Sequence, residues 1–316
     1  LLGVALLYAQ HSTLDLVQWS RVIEPGVLST VSVIAITVGL MLKAALFPLH
    51  FWLPTAHGSA PAPVSAVLSA LVVKASFYLM LRIWLDVFPG SITVAGGYVL
   101  GALGAAAVLW GSVQALRTPR LKLLVAYSTV AQLGYLFLIF PLLDAEIARA
   151  AVLPGVLCLA VAHAFAKAAS FLAAGAVMEA TGHDRLADLR GIGVALPACV
   201  FAFALAGVSL MGLPPSGGFA AKWTLLGAAI DSSQWWIAIV MLTGGLLAAG
   251  YIFRVLRVAL ETESTNLRIQ HVRTPLAWSA MARAIGALVV GFAVEPIAAW
   301  LEPGLRVASA GSGVTP

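Results

Sequence analysis

Five side chains able to hold or release a proton stand inside apolar stretches of this sequence: Lys43, Lys74, His163, Lys167 and Lys222. An ammonium at mid-membrane costs roughly 2.5 to 3.5 kcal/mol on insertion scales, so an ionisable group at that depth marks an ion path, with a partner or a wet cavity beside it. Desolvation disfavours the charged form of a lysine, and histidine titrates near neutral pH in any case. His163 and Lys167 are four residues apart, which on a helix puts both on one face. A series of such groups joined by water is a proton relay. Around it, His50, His57, Tyr127, Ser128 and Gln132 are candidates for gating or for lining the path.

Taken singly, each of these residues has an ordinary explanation. Lys43 near a helix end could snorkel to the interface. His50 and His57 flank a bend and could cap it. His163 could be a satisfied core histidine, and Tyr127, Ser128 and Gln132 could be hydrogen-bonding helices together. The set is more specific than its members, because four lysines and a histidine fall in four separate apolar runs with almost no acidic residue at the same depth.

The elements that must position these groups are helices in a membrane. Of 316 residues, 61% are hydrophobic and 10% charged, with a mean hydropathy of +0.99, whereas about a quarter of the residues of soluble domains are charged. The apolar runs are about 20 residues or longer and lack the alternation of a barrel strand. The expected fold is therefore an all-α polytopic bundle. Its spans fall at about 27–53, 63–84, 92–116, 121–143, 148–179, 197–230, 235–260 and 276–301, about eight in all, after a partial helix ending near Tyr8.

Two of the spans carry their own breaks. Pro48 removes a backbone donor from the first, which predicts a kink or break near Phe47. The run GLPPSGGF, Gly212 to Phe219, places Pro214 and Pro215 at mid-membrane depth, where broken helices persist only if buried in protein or lining a cavity. The span at 92–116 holds Gly96, Gly97, Gly101 and Gly104 and is expected to let a neighbour approach closely.

Charge placement gives the orientation. The turns after spans three, five and seven are basic, while those after spans two, four and six carry Asp86, Asp144 with Glu146, and Asp231. The positive-inside rule puts the first set, with the bend at 54–62, in the cytoplasm. Asp184, Arg185, Asp188 and Arg190 read as a solvated loop network, and the tail from Glu302 to Pro316 as frayed. The formal charge of +5 is spread along the chain and no nucleic-acid module is visible. Cys158 and Cys199 lie singly in apolar runs, and there is no P-loop, HExxH or GxSxG, so no metal site, cofactor or bond-making chemistry is expected.

Four segments in order carry a family resemblance: KAALFPLHFWLPTAHGSAPAPVSAVLSALVVKASFYLMLR from Lys43 to Arg82, LKLLVAYSTVAQLGYL from Leu121, HAFAKAASFLAAGAV from His163 and GLPPSGGFAAKW from Gly212. Together they resemble the proton-translocating, antiporter-like membrane subunits of respiratory complex I, of membrane-bound hydrogenases and of Mrp-type sodium/proton antiporters. The HFWLPTAHGSAPAP and DRLADLRGIG forms lean toward the Mrp and hydrogenase types.

The resemblance implies inverted five-helix repeats, each with one broken helix, around an axis of lysines, histidines and one glutamate. Lys43 is similar to the lysine that pairs with that glutamate, Lys74 to the next along, His163 and Lys167 to the central connectors and Lys222 to the terminal residue. Residues 1–90 then read as the end of a first repeat, 91–260 as the second, and 261–316 as a C-terminal helix and tail. The helix bearing the glutamate would precede Leu1, so the expectation is either a fragment, which is favoured, or a chain whose missing helices another subunit supplies. Function by resemblance is proton translocation, with Na+ antiport as an option, in the plasma membrane of a prokaryote. The partners are the bilayer and other membrane subunits. Membership of an NADH:quinone oxidoreductase-like translocase is an alternative, as are a non-transporting scaffold and a free-standing solute carrier.

Overall fold

The computed structural model describes residues 1–88, 94–143, 146–261 and 274–293, with Pro296 and Ala299. Among the described residues the chain is helical throughout, the only β pairing being a lone bridge between Arg120 and Arg185. After α1 (Leu2–His11) and a short surface helix α2 (Leu16–Val22), whose start Asp15 caps by accepting from the Val17 amide at 2.8 Å, come α3 (Val27–Lys43) and α4 (Trp52–Ser59). Then follow α5 (Ala62–Val87), α6 (Val94–Arg117), α7 (Leu121–Phe137), α8 (Glu146–Thr181), α9 (Pro197–Met211), α10 (Gly217–Asp231), α11 (Trp235–Ala259) and α12 (Thr274–Val289). Among the described residues six helices are long and apolar enough to cross a membrane, and Val27–Lys43 and Pro197–Met211 are shorter apolar helices.

Helix α7 sits at the centre, packed on by α4, α6, α8 and α11, and α8 in turn by α5, α9, α10 and α12. Hydrophobicity cannot drive apolar helices together in lipid, so close approach must come from small residues. A Cβ at Gly134 of α7 would collide with the Gly104 carbonyl of α6 and lie 2.8 Å from the Val108 amide, so the glycine-rich α6 packs as its sequence predicts. The side chains facing lipid remain apolar and exposed, among them Leu242, Leu246 and Phe253 on α11.

Both breaks form, the first spanning 44–51 around Phe47 and the second falling within 212–219. The first begins at Ala44, before Pro48, and the chain turns through Ala45 (φ 54°) into α4. Trp52 closes it by donating its indole N–H to the Leu42 carbonyl at 2.7 Å. The second is shorter than 212–219. Gly212 ends α9 in the left-handed region (φ 84°), and Ser216 caps α10 by accepting from the Phe219 amide at 3.1 Å, so Gly217 to Phe219 are already helical.

Three surface expectations need correction. Asp184 is buried, not part of a solvated network: its carboxylate pairs with Arg120 at 2.9 Å and receives the Lys122 amide at the start of α7. Arg190 reaches instead to Glu261 at 3.3 Å, and only Arg185 with Asp188 form an exposed local pair. Asp86 lies in the last turn of α5, ion-paired with Arg82. Asp144, the Glu146 side chain and the tail from Glu302 fall outside the described residues.

Candidate functional site

The row begins on α5, where a π-helical stretch, Leu68–Val72, runs directly into Val73–Arg82. Single π turns inside α-helices recur at functional sites. Here the buried Lys74 donates its ammonium to the carbonyl of Ser69, in that stretch. The Ser69 hydroxyl meets Thr129 of α7 at 3.1 Å, and Thr129 donates to the Val125 carbonyl at 3.0 Å. That carbonyl also receives Ser128 at 3.0 Å and the ammonium of Lys167 at 3.1 Å, and Lys167 donates to Ser128 Oγ as well. Lys74 and Lys167, on α5 and α8, are thus joined by polar groups across α7.

The far end is built on the second break. In an unbroken helix the carbonyl of Leu210 would accept from the amide of residue 214, and residue 214 is proline, which has none. That orphaned acceptor receives Lys222 Nζ at 2.7 Å and Gln132 Nε2 at 2.9 Å. The same ammonium stands 4.2 Å from the ring centroid of Tyr135, whose hydroxyl donates to the Met241 carbonyl at 3.1 Å. Backbone freed by the break is therefore met by side chains that bear the chemistry.

His163 stands on α8, one turn before Lys167. Lys74, Lys167 and Lys222 all lie within electrostatic reach of its ring. It is buried, and neither ring nitrogen has a hydrogen-bond partner among the described residues. His57 repeats the pattern toward the basic side: buried, both nitrogens without partners among the described residues, stacked on Phe171 at 4.4 Å, and within reach of Lys167, Lys122 and Lys74. Among the described residues no carboxylate pairs with Lys74, Lys167 or Lys222, and no cluster of three or more His, Cys, Asp or Glu could hold a metal.

The structure brings together Lys74, His163, Lys167 and Lys222 with Ser128 and Gln132. It does not bring Lys43 to them: Lys43 is the last residue of α3 and is exposed. His50 stacks on Phe47 at 5.4 Å within the first break, and Tyr127 is half-buried against core side chains. Sequence reasoning missed Lys122, which reads as one of a basic turn with Arg117 and Arg120 but is buried and donates to the Ala60 carbonyl. It also missed Ser69 and Thr129. An open cavity of about 940 Å³ reaches Lys122 from the basic side, lined also by Gly58, Ala60, Gly175, Glu179 and Arg283.

Apolar helices long enough to span a membrane, enclosing buried lysines and histidines and interrupted at two places, define a multi-pass membrane protein with ionisable groups in its interior. The family described as NADH:quinone oxidoreductase/Mrp antiporter, TM, matches residues 1–248, and the chain belongs to it. It is 37% identical over 263 residues to NADH-quinone oxidoreductase subunit N of Desulforudis audaxviator, covering 82% of this chain and 52% of that protein. It is 28% identical over 307 residues to a subunit of the Na(+)/H(+) antiporter of Alkalihalophilus pseudofirmus, covering 94% and 60%. A chain of the Mrp complex from a Dietzia species superposes with a TM-score of 0.84 at 23% identity, over 99% of this chain and 67% of that one, a likeness of fold. The chain thus spans about half to three-fifths of the length of these curated relatives. The higher of the two identities is to a subunit N.

Proposed function

We propose that this chain carries protons across a prokaryotic plasma membrane, as one membrane subunit of a larger complex, along the row Lys74, His163, Lys167 and Lys222. The observation that carries the reading is that three buried ammonium groups, all within electrostatic reach of the buried His163, have only carbonyls and a hydroxyl as the acceptors of their hydrogen bonds. In a low-dielectric interior like charges repel strongly, so charging one member disfavours charging the next. A proton entering at one end favours release at the other, which is transport by displacement. The cavity at Lys122 and the buried His57 supply entry from the basic side, and Lys43, facing outward, supplies the contact with a group outside this chain.

On this reading each broken pair, α3 with α4 and α9 with α10, counts as one span, giving the eight expected from the sequence, and the two breaks mark corresponding positions of inverted repeats. The 37% identity to a subunit N favours a place in an NADH:quinone oxidoreductase-like translocase over a sodium-coupled antiporter. The partners in either case are further membrane subunits. The test is Lys74→Ala in inverted vesicles holding the assembled complex, with proton flux read by a pH-sensitive dye. Assembly is expected to survive and flux to be lost. Wild-type flux from an assembled Lys74→Ala complex would remove Lys74 from the path and favour a scaffold.

A further inference from the structure

Away from the ionisable axis, α9 and α11 leave an open apolar groove of about 510 Å³ between them, lined by Pro197, Ala198, Phe201, Ala204, Leu256 and Leu260. Its size falls within the range of about 300 to 1,000 Å³ that suits small ligands. Phe201 and Leu260 are 57% and 66% exposed, so the groove opens outward, on the surface that a bilayer covers.

One end of the groove is charged. Gly193, at its edge, lies three residues after Arg190, and Leu260 directly precedes Glu261. Glu261 is shared by Arg190 at 3.3 Å and Arg257 at 3.8 Å, so among the described residues one carboxylate faces two guanidiniums and a positive charge is left over. Arg257 is the more open of the two, its side chain 84% exposed. This end is also the end of α11 that the positive-inside rule places at the cytoplasmic surface, where anionic lipids attract exposed arginine.

A lipid-facing trough with a surplus guanidinium at the headgroup level fits one class of occupant. We propose that the groove between α9 and α11 is a binding site for an anionic phospholipid, with an acyl chain along Phe201 and Ala204 and the phosphate on Arg257 and Arg190. Guanidinium is suited to this because its planar fork meets phosphate oxygens in pairs. Glu261 sets the selectivity: it neutralises one of the two arginines, so a headgroup of no net charge gains little while an anionic one meets the remaining charge.

The test is photolabelling of the full chain, purified with its partner subunits in phosphatidylcholine nanodiscs. The probe is phosphatidylglycerol carrying a diazirine on its acyl chain, and labelled peptides are located by mass spectrometry. Label is expected on the peptide holding Phe201 and Ala204, falling about fivefold in Arg190→Gln/Arg257→Gln, as loss of a surface charge contact predicts. Phosphatidylcholine with the same diazirine should label wild type at the lower level, a comparison that stands even if the double variant does not assemble. Ala204→Trp, which fills the trough, should abolish the label. Equal labelling by the two lipids, or undiminished labelling of an assembled double variant, would overturn the proposal. So would absence of label from that peptide in the assembled wild-type complex.

Discussion

Lys167 is fully buried, and what holds it is a carbonyl and a hydroxyl, not a carboxylate. A buried charge without a counter-ion is a liability to stability, and replacing such groups by apolar ones of similar volume is often neutral or stabilising. His163 is a sharper case, because its ring nitrogens make no hydrogen bond to the described protein. His163→Phe removes no such bond and nearly conserves volume, so the thermal stability of the detergent-solubilised complex should stay within a few degrees of wild type while flux falls to background. Retained flux would take the imidazole out of the path. These residues are legible in the sequence because a charge in an apolar run has few innocent explanations. Ser69 and Thr129 are not, since a small hydroxyl in a helix usually satisfies its own backbone, and only the π-helical stretch on α5 turns Ser69 toward both Lys74 and Thr129. Lys122 is hidden by its neighbours: beside two exposed arginines it looks like surface, and its burial depends on the contact with the 58–62 bend.

At the scale of elements, the second break is a device for freeing one acceptor. Pro214 denies the Leu210 carbonyl its helical donor, and Lys222 and Gln132 take the place. Pro214→Ala supplies an amide at that position and offers α9 another turn, so the carbonyl is drawn back into the helix and Lys222 loses its anchor. The expected outcome is a normally assembled complex with flux reduced several-fold, read by the same dye assay, and unchanged flux would show that the break does not serve Lys222. Ser216→Ala removes the cap of α10 and should cost about 1 kcal/mol of stability, measured as a lower midpoint of thermal unfolding. The sequence marks both interruptions because proline and glycine at mid-membrane depth are hard to read otherwise. Their extents it cannot give: Gly217 and Gly218 look like linker, yet Ser216 caps them into α10, and the first break opens at Ala44, upstream of the proline that signals it.

Over the whole molecule, charge and cavity agree on a direction. The open cavity at Lys122 lies at the end of the bundle where the basic turns gather, and the turn between α10 and α11, with Asp231 and Ser233, lies at the other. Ser279→Cys, in the cavity wall, should react with a membrane-impermeant maleimide in inverted vesicles and not in intact cells, and Ser233→Cys the reverse. Labelling of both from one side would undo the orientation. The native thiols Cys158 and Cys199 are buried and free, which keeps the background of that experiment low.

The claim that most needs testing is that protons pass through the row, as opposed to the row being a fixed positive field. Lys167→Arg separates the two, because guanidinium keeps the charge and does not release its proton in the accessible pH range. Proton flux into liposomes holding the purified complex, driven by an imposed membrane potential, should be as low for Lys167→Arg as for Lys167→Met. Flux near wild type in Lys167→Arg, with loss confined to Lys167→Met, would mean that the charge alone matters and that no proton is handed on at this position.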